Sequence, residues 1–148
     1  MKLTALIYGA LGLIPFIAIG IFLPLWPQIW KHEIVNIFNS YSAMILAFLS
    51  GSIWGIANSC KKLSKLNMCL SIGILFSLVS FAVLLIPMPY SIYLLVISFA
   101  VLLVMEAKLM FPQIYPLWYI KMRALLTIVV IFCHVFFIYW LNDTRLFD

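Results

Sequence analysis

Five unbroken apolar stretches, each close to bilayer length, fill this chain, and its charged residues fall almost entirely between them. Their approximate bounds are 3–23, 34–59, 66–86, 91–109 and 124–140. A helix crosses the hydrocarbon with about 20 mostly apolar residues. Within lipid every backbone N–H and C=O needs a partner inside the protein, which leaves helices and closed barrels as the spanning structures. Barrel strands alternate polar and apolar residues over segments of about ten; these runs do not alternate. The expected fold is therefore all-α, a polytopic membrane bundle of five transmembrane helices in a single domain over residues 1–148. The composition, 67% hydrophobic and 9% charged, departs far from the roughly 45–50% and 25% of soluble domains.

Charge placement predicts the orientation. With five spans, the N-terminus and the second and fourth connections share a side. That side holds Lys2, Lys61, Lys62, Lys65, Lys108, Lys121 and Arg123 against Glu106 alone. The other holds Lys31 and Arg145 against Glu33, Asp143 and Asp148. Basic residues stay cytoplasmic, so the N-terminus is expected in the cytoplasm and the C-terminus outside. Lys2 before an apolar run resembles a signal peptide, but a signal core is only about 7–15 residues, and this run is read as a retained helix. No Arg- and Ser-rich presequence of the mitochondrial type precedes it, and abundant Ile, Lys and Asn with little Arg point to an AT-rich bacterial genome, so the expected location is a bacterial inner (cytoplasmic) membrane. The net charge of +5 follows from the asymmetry; no aromatic-basic face outside the membrane supports a nucleic-acid surface.

The second stretch has a small residue at every fourth position: Ala43, Ala47, Gly51, Gly55 and Ser59. Such a row offers a groove for close helix packing, with Gly51-x-x-x-Gly55 at its core. The first stretch is its expected neighbour, a foreign helix the alternative. Ser50, Trp54 and Asn58 form a second row, expected to point into the bundle because polar groups facing lipid are costly. Pro15 removes a backbone donor and predicts a kink in the first stretch, with the Leu11 carbonyl needing a hydroxyl, a water or a neighbouring helix.

The segment from Glu106 to Arg123 mixes aromatics, prolines and cations, including Trp118 and Tyr119, the composition of a headgroup-level segment. Glu106 has Lys121 or Arg123 as candidate ion-pair partners. His134 sits about 16 Å beyond Arg123 at 1.5 Å per residue, near the middle of the hydrocarbon. An ionisable residue there is a functional candidate: a haem ligand, a proton relay, a hydrogen-bond donor to a quinone, or a core histidine satisfied by a carbonyl or serine. Cys60, Cys69 and Cys133 lack disulfide or metal spacing and read as packing residues. No metal or other cofactor is predicted.

Three stretches carry a resemblance. Gly9-Ala-Leu-Gly12-Leu-Ile-Pro15-Phe16, the run from Tyr41 through Phe48 and Gly51 to Trp54-Gly55, and Trp118-Tyr119-x-x-x-Arg123-x-x-Leu126-Thr127 occur in this order. Together they resemble the domain of unknown function 3429 family, which has a mitochondrial transmembrane member. Ser50 and Ser52 stand where that pattern has Gly and His, which weakens any inference of a metal or cofactor on the second helix; Ala124-Leu125 replaces a Leu-Pro-like step. The resemblance implies a membrane architecture and no activity.

No G-x-S-x-G, H-E-x-x-H, phosphate loop or paired carboxylates occur; Ser50 or Ser52 with His134 is the one nucleophile–base pairing the sequence allows. The favoured reading is an accessory or assembly component of a larger membrane complex, respiratory by analogy, with lipid and other membrane proteins or further copies of itself as partners. The alternative is a small carrier or channel, or a lipid- or quinone-binding module using the polar face of the second helix and His134.

Overall fold

The structure, a computed structural model, describes residues 2–59, 65–111 and 113–143. Cys60, Lys61, Lys62, Pro112, Arg145 and Asp148 lie outside the described residues. Five α-helices follow in order: α1 Lys2–Gly20, α2 Gln28–Ser59, α3 Leu66–Val83, α4 Tyr90–Met110 and α5 Leu117–Asn142, with a short 3-10 turn at Leu23–Leu25 after α1. All five are long and apolar enough to cross a membrane, which makes this a multi-pass membrane architecture.

Two helices outrun the apolar windows. α2 starts at Gln28, directly after Pro27, and α5 at Leu117, directly after Pro116. A proline disfavours the helical region for the residue before it, so a helix rarely runs back past one, and the carbonyls of Pro27 and Pro116 accept from the first turns of the two helices. The polar residues of those first turns keep hydropathy low without opposing the helix. Of the segment from Glu106 to Arg123, α4 consequently takes residues up to Met110 and α5 those from Leu117.

α2 packs most extensively on α3, while α1 leans on α5 more than on α2. Two glycines mark places where one helix comes close to the backbone of another. A Cβ on Gly73 would stand 2.8 Å from Trp54 Cβ and 3.0 Å from the Ser50 carbonyl oxygen. On Gly20 it would stand 2.8 Å from the carbonyl oxygen of Cys133. These glycines let backbones meet, the usual device for helix association in lipid. The Ser80 hydroxyl donates to the Ala43 carbonyl and adds a polar tie between α3 and α2.

The groove expected along α2 is used differently. Ala43 is buried and Ala47 half-buried, but Gly51, Gly55 and Ser59 are exposed, and a Cβ on either glycine would meet nothing within 4 Å. Helix geometry gives the reason. A step of four residues overshoots a turn by about 40°, so four steps carry the row some 160° around α2, from the core to the outside. The Ser50–Trp54–Asn58 row drifts likewise: Ser50 is buried, whereas Trp54 is 44% exposed and Asn58 is exposed. Only Ser50 of that row belongs to the bundle interior.

α1 runs through Pro15 without ending. A hydroxyl does reach this region: Tyr41 on α2 donates to the carbonyl of Gly12 at 2.9 Å, one residue beyond the carbonyl that Pro15 frees.

Candidate functional site

The face of α5 toward the core is a single stripe of Arg123, Thr127, Val130, His134 and Phe137, all buried. Its steps alternate between four and three, an average close to the helical repeat, so the stripe stays on one side. Beside its first three residues lies a laterally open cavity of about 190 Å³ between α1, α2, α4 and α5. Gly9, Gly12 and Phe16 line it from α1, Phe48 from α2 and Phe99 from α4.

Gly12 creates much of this space. A Cβ there would touch nothing within 4 Å, because the residue opens onto the cavity. Gly9 faces the flexible tip of Leu126 instead, which a Cβ would meet at 2.7 Å. Tyr41 pins α2 to α1 at Gly12, so the opening is bounded by a fixed helix pair. The size is informative. A dry cavity of ~150 Å³ holds a benzene ring, while sites for drug-sized ligands begin near ~300 Å³. This cavity therefore suits one ring or a short length of one apolar chain.

Arg123 lines the polar end. Its Nη2 lies 2.8 Å and its Nε 3.2 Å from the same carboxylate oxygen, Glu106 Oε2. Of the two partners the sequence allowed, Arg123 is the one Glu106 meets; Lys121 is exposed. At 3% and 7% exposure the pair must stay together, since either charge alone in such surroundings would be strongly disfavoured. Because both bonds converge on Oε2, Arg123 Nη1 and Glu106 Oε1 lie outside the pair. Guanidinium donors beside an apolar cavity can hold a carbonyl, carboxylate or phosphate oxygen.

Two tyrosines back the ion pair. The rings of Tyr115 and Tyr119 are 4.4 Å apart, and Trp118 meets Tyr119 edge-on at 5.9 Å. Burial, then the Glu106 carboxylate, push the Tyr115 phenol well above its usual range. It stays a neutral phenol whose oxygen completes no hydrogen bond of standard geometry. Lys2 Nζ sits 5.8 Å from the Trp118 ring, which puts the chain's first helix and the start of α5 at one end of the bundle.

At the deep end His134 is fully buried. Its Nδ1 lies 2.8 Å from the Val130 carbonyl oxygen, and the rings of Phe16, Phe38 and Phe99 surround it at centroid distances of 5.6, 4.9 and 5.6 Å. Ser50 and Ser52 are elsewhere. Their hydroxyls donate to the carbonyls of Ala47 and Phe48 on their own helix, so the nucleophile–base pairing allowed by the sequence is not assembled. Cys69 and Cys133 are buried and free. Among the described residues no group of three His, Cys, Asp or Glu side chains is placed to hold a metal ion.

The three stretches behind the family resemblance converge on this cavity: Gly9, Gly12 and Phe16 from the first, Phe48 from the second, Arg123, Leu126 and Thr127 from the third. The family model described as Protein of unknown function (DUF3429) matches residues 1–139. The chain belongs to that family. No curated protein and no solved structure matches it. Membership and architecture agree, and the site must be read from its chemistry.

Sequence reasoning marked Arg123, Glu106 and His134 one by one and missed the cavity between them. The four–three–four spacing from Arg123 to His134 was the available signal for a shared face. Phe99 had no such signal, because α4 carries no strongly polar group until Glu106.

Proposed function

We propose that the protein is a non-catalytic binding module of the bacterial inner membrane that takes an amphipathic lipid or quinone in the Gly12 cavity. The ligand's apolar part occupies the volume between Phe16, Phe48 and Phe99. Its oxygen-bearing head takes hydrogen bonds from Arg123. One observation carries the reading: an apolar slot of about 190 Å³ with a buried, carboxylate-braced guanidinium at one end. Lateral opening suits a ligand arriving from the bilayer, which needs no aqueous path. The basic bias of the N-terminal side supports a cytoplasmic placement of the Arg123 end.

The test is gentle purification from the native membrane followed by mass spectrometry of what is extracted. A near-stoichiometric lipid or quinone is expected with the unaltered protein and is lost from Gly12→Leu, whose side chain fills the cavity. Its absence from the first, or equal retention by both, overturns the reading.

An accessory role in a larger membrane complex is the second reading, favoured by one observation. Gly51, Gly55 and Ser59 lie on the outside of the bundle beside the exposed Trp54, where another helix can approach closely. Loss of a copurifying polypeptide in Gly55→Leu supports it, and no change in what copurifies counts against it.

A further inference from the structure

The hydrogen bond at His134 fixes what the other side of its ring offers. A carbonyl oxygen only accepts, so Nδ1, 2.8 Å from the Val130 oxygen, carries the hydrogen. In the uncharged ring Nε2 then presents a lone pair. That atom is buried and meets no donor among the described residues. A buried acceptor left unmet is unfavourable and rare in native structures, and each instance needs an explanation.

Position supplies one. Arg123, Thr127 and Val130 line the cavity, and His134 is the next residue of the same stripe, one helical turn deeper. Phe16 and Phe99 belong to both places. They line the cavity, and each has its ring centroid 5.6 Å from the imidazole. The two rings thus touch both the open volume and the histidine. Aromatic walls favour a ring in offset or edge-on contact, and the cavity volume admits one.

We propose that the cavity and the His134 cage are two parts of one slot whose ligand is a hydroxyl-bearing ring of the hydroquinone class, its O–H donating to His134 Nε2. The inference rests on the cavity being a ligand site, names the ligand's chemistry, and seats its hydroxyl-bearing head at the His134 end of the slot rather than at Arg123. A quinone or an ester offers only acceptors, which a lone pair repels. A hydroquinone offers the missing donor, and its apolar tail leaves sideways into lipid. Phe16 and Phe99 turn aside to admit the ring. The slot therefore discriminates between the reduced and oxidised forms of one molecule by a single hydrogen bond, without carrying out their interconversion. The sequence expectation of a histidine donating to a quinone is replaced by a histidine that accepts.

The experiment uses the full chain, labelled with 15N-histidine, in lipid nanodiscs under anaerobic conditions. Decyl-benzohydroquinone and decyl-benzoquinone are titrated separately, and affinities come from equilibrium dialysis. The hydroquinone is expected to bind about tenfold tighter, the effect of one hydrogen bond of ordinary strength. In His134→Phe, which keeps an aromatic ring in the cage, the preference falls to about one. The Nε2 resonance of His134 moves upfield with the hydroquinone and not with the quinone, while the His32 resonances stay fixed; this readout needs no variant. Equal affinities with an unmoved His134 resonance overturn the inference. If Gly12→Leu then still abolishes binding, the cavity remains a ligand site and only the hydroxyl assignment falls. If neither compound binds, the hydroquinone assignment fails, and the cavity reading falls with it only if no lipid is extracted with the unaltered protein.

Discussion

Gly73 and Gly51 sit across the same α2–α3 groove, beside Trp54, yet alanine at the two positions should act with opposite sign. At Gly73 the new methyl would stand 2.8 Å from Trp54 Cβ, 3.0 Å from the Ser50 oxygen and 3.2 Å from the Trp54 nitrogen. These neighbours belong to or adjoin the α2 backbone, so no side-chain rotation relieves the contact. Restoring ordinary separation needs the helices to part by about 0.6 Å, and a gap of that size forfeits a quarter to a half of the dispersion attraction at the contact. Overpacking of this kind costs ~1–3 kcal/mol. Replacing a helical glycine returns ~0.5–1 kcal/mol. Gly73→Ala should therefore destabilise by roughly 0–2.5 kcal/mol, about 1 kcal/mol at the centre of the range. At Gly51 and Gly55 the methyl meets nothing within 4 Å, so only the helical gain remains, up to ~1 kcal/mol. Thermal unfolding of the three variants in one mild detergent, followed by circular dichroism, compares them directly. If Gly51→Ala or Gly55→Ala lowered the midpoint as much as Gly73→Ala, the outer half of the α2 row would be packed against something, and the packing deduced for the single chain would be wrong.

Three further outcomes are expected. Glu106→Ala leaves a buried guanidinium unpaired and should destabilise by ~3–5 kcal/mol, with most of the loss recovered in Glu106→Ala/Arg123→Met; equal melting of Glu106→Ala and the unaltered protein would remove the ion pair from the site. Tyr41→Phe deletes the bond to the Gly12 carbonyl and should cost about 0.6 kcal/mol, at most ~1.7, the range for hydrogen bonds between helices in membranes, again read by melting. In a cysteine-free background, a cysteine added at the C-terminus should react with an impermeant maleimide on intact cells, and one near Lys2 only after permeabilisation; the reverse pattern would invert the orientation.

The parts of this fold legible in the sequence are those that a single helix decides for itself. Apolar length without internal charge identifies a spanning helix whatever surrounds it, and each of the five windows overlaps one observed helix, 3–23 and 66–86 running three residues past the ends of α1 and α3. Pro27 and Pro116 then determine starts that a hydropathy window misses, because it weighs the polar first turns as loop. What one helix does not decide is which of its faces a neighbour covers. The small residues from Ala43 to Ser59 illustrate this: spaced by four, they drift out of the core, whereas close packing falls to single glycines, Gly20 and Gly73, that form no row. The site follows the opposite logic. Arg123, Thr127, Val130 and His134 are spaced by four, three and four, so they hold one face, the first three lining the cavity and His134 one turn beyond it, with a buried donor and a buried acceptor about 16 Å apart along the helix. Arg123 is met by Glu106, but the outer nitrogen of His134 has no such partner among the described residues, and packing alone does not account for it. It becomes intelligible when the space between Gly12, Phe16 and Phe99 belongs to a molecule with oxygen at one end and lipid around the rest.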